Sequence, residues 1–283
     1  GTILAKNLRI DPAAPSQVAS KVYDGFRNAT VTMGALDGLV AGETLGATLA
    51  TGTFADNNVG RGKSVAVVYT LVDGANLASN YTLAGETLRG DITPKDLVVQ
   101  AGGITITKVY DGTTGIANAN VTINASALAG NSTGPNDGKY IGSENVSLQV
   151  DVVGAFASSK DVSAGMQAVT TTVRLTAGGD NDNYVLQGQP SLTGTITAKN
   201  LQIGGMSVAA TKVYDGTRAT VLLAPASFGT TATTGLGTSL DGLAYTGDDV
   251  QVDAPGVGVY DGKDVGAATK VVFSGVTLKG NEA

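Results

Sequence analysis

Apolar and polar residues alternate along most of this chain with a period of two. Runs such as Ser64-Val65-Ala66-Val67-Val68-Tyr69, Val146-Ser147-Leu148-Gln149-Val150 and Thr171-Thr172-Val173-Arg174-Leu175 place β-branched side chains on one face, the signature of a half-buried strand. Glycine- and Asp-Gly-containing turns break these runs about every 8–12 residues, the spacing of an antiparallel sandwich or barrel. No window carries a 3.6-residue stripe with caps at both ends, so the pattern predicts an all-β chain.

The strands recur in blocks. Lys-Val-Tyr-Asp-Gly occurs at Lys21 to Gly25, Lys108 to Gly112 and Lys212 to Gly216. Upstream of each lies a second marker, Ala5-Lys6-Asn7-Leu8, Pro94-Lys95-Asp96-Leu97 and Ala198-Lys199-Asn200-Leu201. A third runs from Phe54-Ala55 to Val59, from Phe156-Ala157 to Val162, and from Val259-Tyr260 to Val265. A fourth, Asn-Tyr-x-Leu, stands at Asn80 to Leu83 and Asn183 to Leu186. Ordered markers at a period near 100 residues describe whole domains rather than solenoid coils, which repeat every 20–50 residues or so. The predicted boundaries are 1–93, 94–196 and 197–283, with residues 1–5 as the tail strand of a preceding unit. Unit 3 reaches Ala283 before any Asn-Tyr-x-Leu segment, and the chain opens in mid-pattern without an initiator Met. The expectation is a segment of a longer polypeptide whose third unit lacks its last two strands and shows an open sheet edge.

Units 2 and 3 carry extra residues near Asn131–Gly138 and Gly229–Gly237, rich in Gly, Ser, Thr and Asn. Such stretches read as surface loops. Each Asp-Gly pair reads as a tight turn, with Gly supplying positive φ and Asp bonding its own backbone. The preceding tyrosines suit a domain end, with the ring buried and the hydroxyl bonded to backbone, and Tyr81 and Tyr184 suit the same role near the other sheet. Gly90 to Val98 runs from a closing strand into an opening one with no flexible linker, as does Gly194 to Ile203. Joints without slack predict units set end to end as an elongated rod.

Composition narrows the chemistry. The chain has 283 residues with no Cys, His or Trp, which removes disulfides, thiol nucleophiles, Cys/His zinc sites and His-based acid–base catalysis. Only a carboxylate pair of the glycosidase kind is left as catalytic chemistry, and the acidic residues sit mainly beside Gly or Asn in turns. No enzyme activity is expected. The net charge of −6 opposes binding to phosphate backbones or anionic lipid, so neither nucleic acid nor membrane insertion is expected. No apolar run approaches the roughly 18 residues of a membrane span.

The markers together resemble the YDG repeat, close kin of the MBG (mostly bacterial immunoglobulin-like) repeats. The residues that carry the resemblance are Lys108 to Thr113, Lys212 to Thr217, Thr51 to Gly60, Asn80 to Leu83 and Ile196 to Leu201. Unit 1 departs slightly, with Phe26 where the other units have Thr. The resemblance implies three tandem antiparallel β-sandwich-like, Ig-like domains. It also implies very large exported proteins of Gram-negative bacteria, many similar to filamentous-haemagglutinin-type adhesins released by two-partner secretion. Lack of cysteine suits such export. The implied place is the bacterial outer surface or biofilm matrix, and the implied role is a stalk that projects a binding domain from the cell. The partners expected are other repeats of the same polypeptide, with extracellular polysaccharide or another adhesin copy as ligands if the repeats themselves bind. In that alternative the two inserted loops, Tyr140 and Tyr245 are the contact candidates.

No cofactor is expected, with one candidate exception. Asp180-Asn181-Asp182-Asn183 offers alternating oxygens of the kind calcium accepts, making Asp180 and Asp182 the candidate ligands. The competing reading is an Asx-rich turn. Gly247-Asp248-Asp249 and Asp56-Asn57-Asn58 are weaker versions of the same pattern. The repeated Lys of Lys-Val-Tyr-Asp-Gly is either one partner of a Lys–Asn or Lys–Asp isopeptide crosslink or a solvated strand-end lysine.

Overall fold

The computed structural model describes residues 1–151 and 154–282. The described residues form β-strands, short 3-10 turns and loops, with no α-helix. Two compact units result, one of residues 1–103, 124–149 and 173–190, the other of 104–123, 150–172 and 191–283. Repeat 2 therefore contributes to both.

In the first unit, the repeat-1 sheet runs in the order Lys21–Val22, Glu86–Thr93, Gly60–Thr70, Leu49–Phe54, Asn28–Ala29. Its alternation is that of the sequence: Val65, Val67 and Tyr69 are buried, while Ala66, Val68 and Thr70 face out. Phe54 and Ile92 complete this core. A smaller sheet pairs Lys6–Ile10 with Leu36–Asp37 and with Tyr81–Leu83. The repeat-2 portion repeats the latter pairing between Lys95–Leu97 and Tyr184–Leu186. Only Pro94 separates Glu86–Thr93 from Lys95–Leu97, so the joint between repeats 1 and 2 has the short connection the sequence predicts.

The second unit holds a six-stranded sheet ordered Gly115–Ile116, Gly154–Phe156, Met166–Thr170, Leu192–Thr197, Ile104–Val109, Val121–Ile123. Ile106, Ile116, Phe156, Val169, Leu192 and Ile196 form its buried face. Repeat 3 contributes a long ribbon, Gln251–Tyr260 with Val271–Lys279, and several two-residue pairs.

The antiparallel expectation holds for the meanders but not throughout. Lys6–Ile10 runs parallel to Tyr81–Leu83 and Lys95–Leu97 parallel to Tyr184–Leu186. Lys21–Val22 and Ile104–Val109 likewise run parallel to their closing strands, Glu86–Thr93 and Leu192–Thr197. Period-2 alternation says which face a residue occupies and nothing about strand direction. Each parallel pair joins segments from opposite ends of one repeat, where the connection is long enough for the crossover that parallel strands need.

Candidate functional site

The Lys-Val-Tyr-Asp-Gly turn is built alike in all three repeats. Asp111 Oδ1 accepts the Thr113 amide at 2.9 Å, as Asp24 does from Phe26 and Asp215 from Thr217. Gly25, Gly112 and Gly216 have φ of 78°, 75° and 75°, a conformation that Gly adopts without steric cost. The lysine then closes the turn from inside. Lys108 Nζ donates to Thr113 O at 2.8 Å and Gly115 O at 2.7 Å, and pairs with Asp111 at 2.6 Å. Lys21 and Lys212 make the same set with their own turns. The Lys108 side chain is only 1% exposed, which corrects the solvated reading for repeat 2. Burial is tolerable there because carbonyls and a carboxylate satisfy the ammonium.

Backbone bonds place Tyr23 and Tyr110 at the joint with the next repeat. Tyr23 N–H donates to Thr93 O at 2.9 Å and Tyr110 N–H to Thr197 O at 2.8 Å. Those threonines end the closing strands.

At the joint of repeats 1 and 2, the Tyr23 ring meets the Tyr184 ring edge-on, with centroids 5.5 Å apart and planes at 82°. Both hydroxyls donate to one carboxylate, Glu144, one to each oxygen. The Tyr184 hydroxyl also accepts the Ile141 amide at 3.0 Å. Burial and then the Glu144 bond push both phenols well above the usual tyrosine range. Val59 N–H donates to Asn183 Oδ1 at 2.9 Å, so the Asn of Asn-Tyr-x-Leu ties the third marker of repeat 1 to repeat 2. A Cβ on Gly25 would lie 3.0 Å from Ile141 Cδ1, so the turn glycine also permits the close approach.

The joint of repeats 2 and 3 follows the same plan with changed parts. Tyr110 stacks edge-on with Tyr245, centroids 5.7 Å apart, and donates to Asp248 at 2.9 Å. Asp248 and Glu144 are counterparts, 104 residues apart like the turns themselves. Lys160, from the third marker of repeat 2, bonds the Tyr110 hydroxyl and pairs with Asp248 at 3.2 Å. Burial pushes Tyr110 up to about 12, with the Lys160 bond opposing the rise and Asp248 adding to it. The inserted loop of repeat 3 folds onto this joint, Gly235 N–H donating to Asp111 O at 2.8 Å. A Cβ on Gly112 would lie 2.8 Å from Thr234 Cγ2.

The tyrosines were expected to bond backbone. Tyr81 and Tyr184 accept a backbone amide and also donate to a carboxylate, Glu43 and Glu144. Tyr23 and Tyr110 instead donate to the acid of the next repeat. Sequence reasoning missed Glu144, although a signal was present: Gly42-Glu43-Thr44-Leu45, Ser143-Glu144-Asn145-Val146 and Gly247-Asp248-Asp249-Val250 share a small–acid–polar–aliphatic pattern. Asp248, a weak calcium candidate by sequence, is thus a tyrosine acceptor.

The other candidates are engaged locally. Asp180 accepts the Asn145 amide at 2.9 Å and Asp182 the Gly178 amide at 3.0 Å, in the turn Gly179–Asn183. Among the described residues no group of three or more acidic side chains is placed to hold a metal ion. In the Asn131–Gly138 loop, Asp137 receives the buried Lys95 ammonium at 2.8 Å. Burial opposes ionisation of Asp137, but Lys95 and the Thr133 and Lys139 amides hold its carboxyl well below the usual range. Tyr140 is half-buried and Tyr245 buried at the joint, so Tyr245 is not the exposed platform that the ligand-binding alternative needs.

β-rich repeats that share one turn and one tyrosine–carboxylate contact define a tandem-repeat protein. The YDG domain matches residues 5–88, 93–192 and 197–283, and the chain belongs to that family. No curated protein and no solved structure matches it. Among the described residues no helix is long and apolar enough to cross a membrane.

Proposed function

We propose that this chain is a structural spacer, a run of YDG repeats within a bacterial cell-surface or biofilm-matrix adhesin that holds a binding domain away from the cell. Its role is mechanical and non-catalytic. The observation that carries the reading is the conserved plan of the two joints. In both, a turn tyrosine crosses into the next repeat, meets a second tyrosine edge-on and ends on an acid. Edge-to-face aromatic pairs add about 0.5–1.5 kcal/mol beyond burial, and hydrogen bonds to a charged acceptor about 1.5–3 kcal/mol. Fixed joints are what a spacer requires, since a flexible linker transmits neither orientation nor length. Export through an outer membrane, with Gram-negative origin and two-partner secretion, belongs to the same proposal and is favoured by the absence of cysteine.

Small-angle X-ray scattering tests it. Three units in line, each on the order of 40 Å long, give a radius of gyration of roughly 35 Å, against roughly 19 Å for a compact chain of this length. The larger value, unchanged by calcium, supports the spacer. The smaller value overturns it.

A further inference from the structure

Repeat 3 contains a cleft of about 590 Å³, lined among others by Lys199, Leu201, Tyr245, Asp248, Leu278 and the Tyr110 ring. Its position has a counterpart in each of the other repeats, and there it is filled. In repeat 1 the marker Lys6-Asn7-Leu8 pairs in parallel with Tyr81-Thr82-Leu83, residue for residue. In repeat 2, Lys95-Asp96-Leu97 pairs with Tyr184-Val185-Leu186 in the same register. The third copy, Lys199-Asn200-Leu201, pairs with no strand among the described residues. Its flanks are nonetheless set as in repeat 2. Lys199 is buried and pairs with Asp241 at 2.7 Å, as Lys95 pairs with Asp137, and Asp248 stands where Glu144 receives Tyr184.

A second open edge adjoins it. In repeats 1 and 2 the closing strand pairs antiparallel with Gly60–Thr70 or Met166–Thr170 on one side. It pairs in parallel with the Lys-Val-Tyr strand on the other. In repeat 3, Val271–Lys279 pairs among the described residues only with Gln251–Tyr260, and Lys212 and Val213 lie outside any strand, with Val213 exposed.

We propose that this cleft and edge are the seat of an added strand pair, one extended segment running from Asn-Tyr-x-Leu to Gly-x-Ile-Thr. Its tyrosine lies opposite Lys199 and its leucine opposite Leu201. The hydroxyl donates to Asp248, so that this carboxylate serves two tyrosines as Glu144 does. Its closing strand lies between Lys212–Val213 and Val271–Lys279, and main-chain bonds supply affinity while the Tyr and Leu pockets supply specificity, as in strand addition generally. The inference stands independently of the spacer reading, since it concerns the completion of one repeat.

The test uses the peptide of residues 181–197 of this same chain, added to the intact protein or fused after Ala283. Hydrogen exchange read by mass spectrometry should show protection confined to residues 199–201, 212–213 and 271–279, by tenfold or more in at least one of the two formats. A fluorescein-labelled peptide should bind saturably where the added format works, and Tyr184→Ala or Leu186→Asp within the peptide should weaken that protection or binding at least tenfold. These changes leave the protein untouched, so misfolding cannot mimic the result. Absence of protection in both formats overturns the proposal, as does equal protection by a scrambled peptide.

Discussion

The turns at Lys108–Gly112 and Lys212–Gly216 are the same five residues, and their lysines make the same bonds to carbonyls and carboxylate. Yet Tyr110 is 8% exposed and Tyr214 56%, while the lysine side chains are 1% and 24% exposed. The bonding pattern is therefore a property of the turn, set by Asp, Gly and the short reach of a lysine back across its own loop. Burial of the tyrosine is contributed by the following repeat. Repeat 1 agrees, since Tyr23 is 1% exposed beneath residues of repeat 2. The tyrosine belongs structurally to a joint rather than to the domain that encodes it.

The strongest way to break that comparison is to truncate the ring. Tyr110→Ala removes a buried aromatic and should cost about 3–5 kcal/mol, as large-to-small core changes of aromatics do. Tyr214→Ala should stay within about 0.5 kcal/mol, as exposed sites do. Urea denaturation of the two variants makes the measurement, and equal losses would mean that the turn rather than the joint holds the ring's energy. Next comes the lysine. Lys108→Met leaves Asp111 buried without its cation, a change worth about 3 kcal/mol. Lys212→Met breaks the same bonds in water and should cost about 0–1 kcal/mol. Similar values for both would deny that burial sets the difference.

The part of this picture that sequence carried is the part made by local chemistry. Three copies of Lys-Val-Tyr-Asp-Gly announced a turn with positive φ at glycine, and the strands around Ser64 to Tyr69 and Val173 to Leu175 lie where alternation put them. Direction was not legible, because Lys6 and Tyr81 are far apart in the chain and parallel pairing leaves no mark on a period of two. The acceptors were also hidden. Glu144 looks like a loop acid among Gly, Ser and Asn, and only its spacing from the turn of repeat 2, matched by Asp248 in repeat 3, betrays a shared task. Tyr245 misled in the other direction: it read as a surface contact candidate, but it is the aromatic partner of Tyr110. Its counterpart in repeat 2 is Ile141, so repeats 2 and 3 each present a large apolar side chain to the turn glycine before them.

Glu144 and Glu43 sharpen the comparison at smaller cost. Glu144 takes two hydroxyls and Glu43 one among the described contacts. Replacing either by Gln keeps the shape but leaves one acceptor oxygen: at Glu43 a charge-assisted bond becomes neutral, and at Glu144 one bond becomes neutral while the other hydroxyl faces the amide NH2, a loss of roughly 1 kcal/mol per bond. Glu144→Gln should therefore destabilise about twice as much as Glu43→Gln in the same urea assay. A ratio near one would mean that Tyr23 gains nothing from the acid across the joint.

The smallest effect is silent at neutral pH. The Tyr110 phenol is held neutral by its buried place and by Asp248, up to about 12 against an ordinary value of 10.0. Below pH 10 both folded and unfolded chains keep the proton, and this contribution is fully present. As pH rises past 10 the unfolded chain loses the proton first, so the unfolded state binds fewer protons and stability declines until the native phenol also ionises near pH 12. Tyr110→Phe retains the ring against Tyr245 and removes the ionisable group. Its stability should be lower than that of the parent at pH 8 by about 1 kcal/mol, the worth of one hydrogen bond, and the two should converge between pH 10 and 12. Parallel curves across that range would show that the phenol's proton is not coupled to the joint, leaving the ring alone to account for its stability.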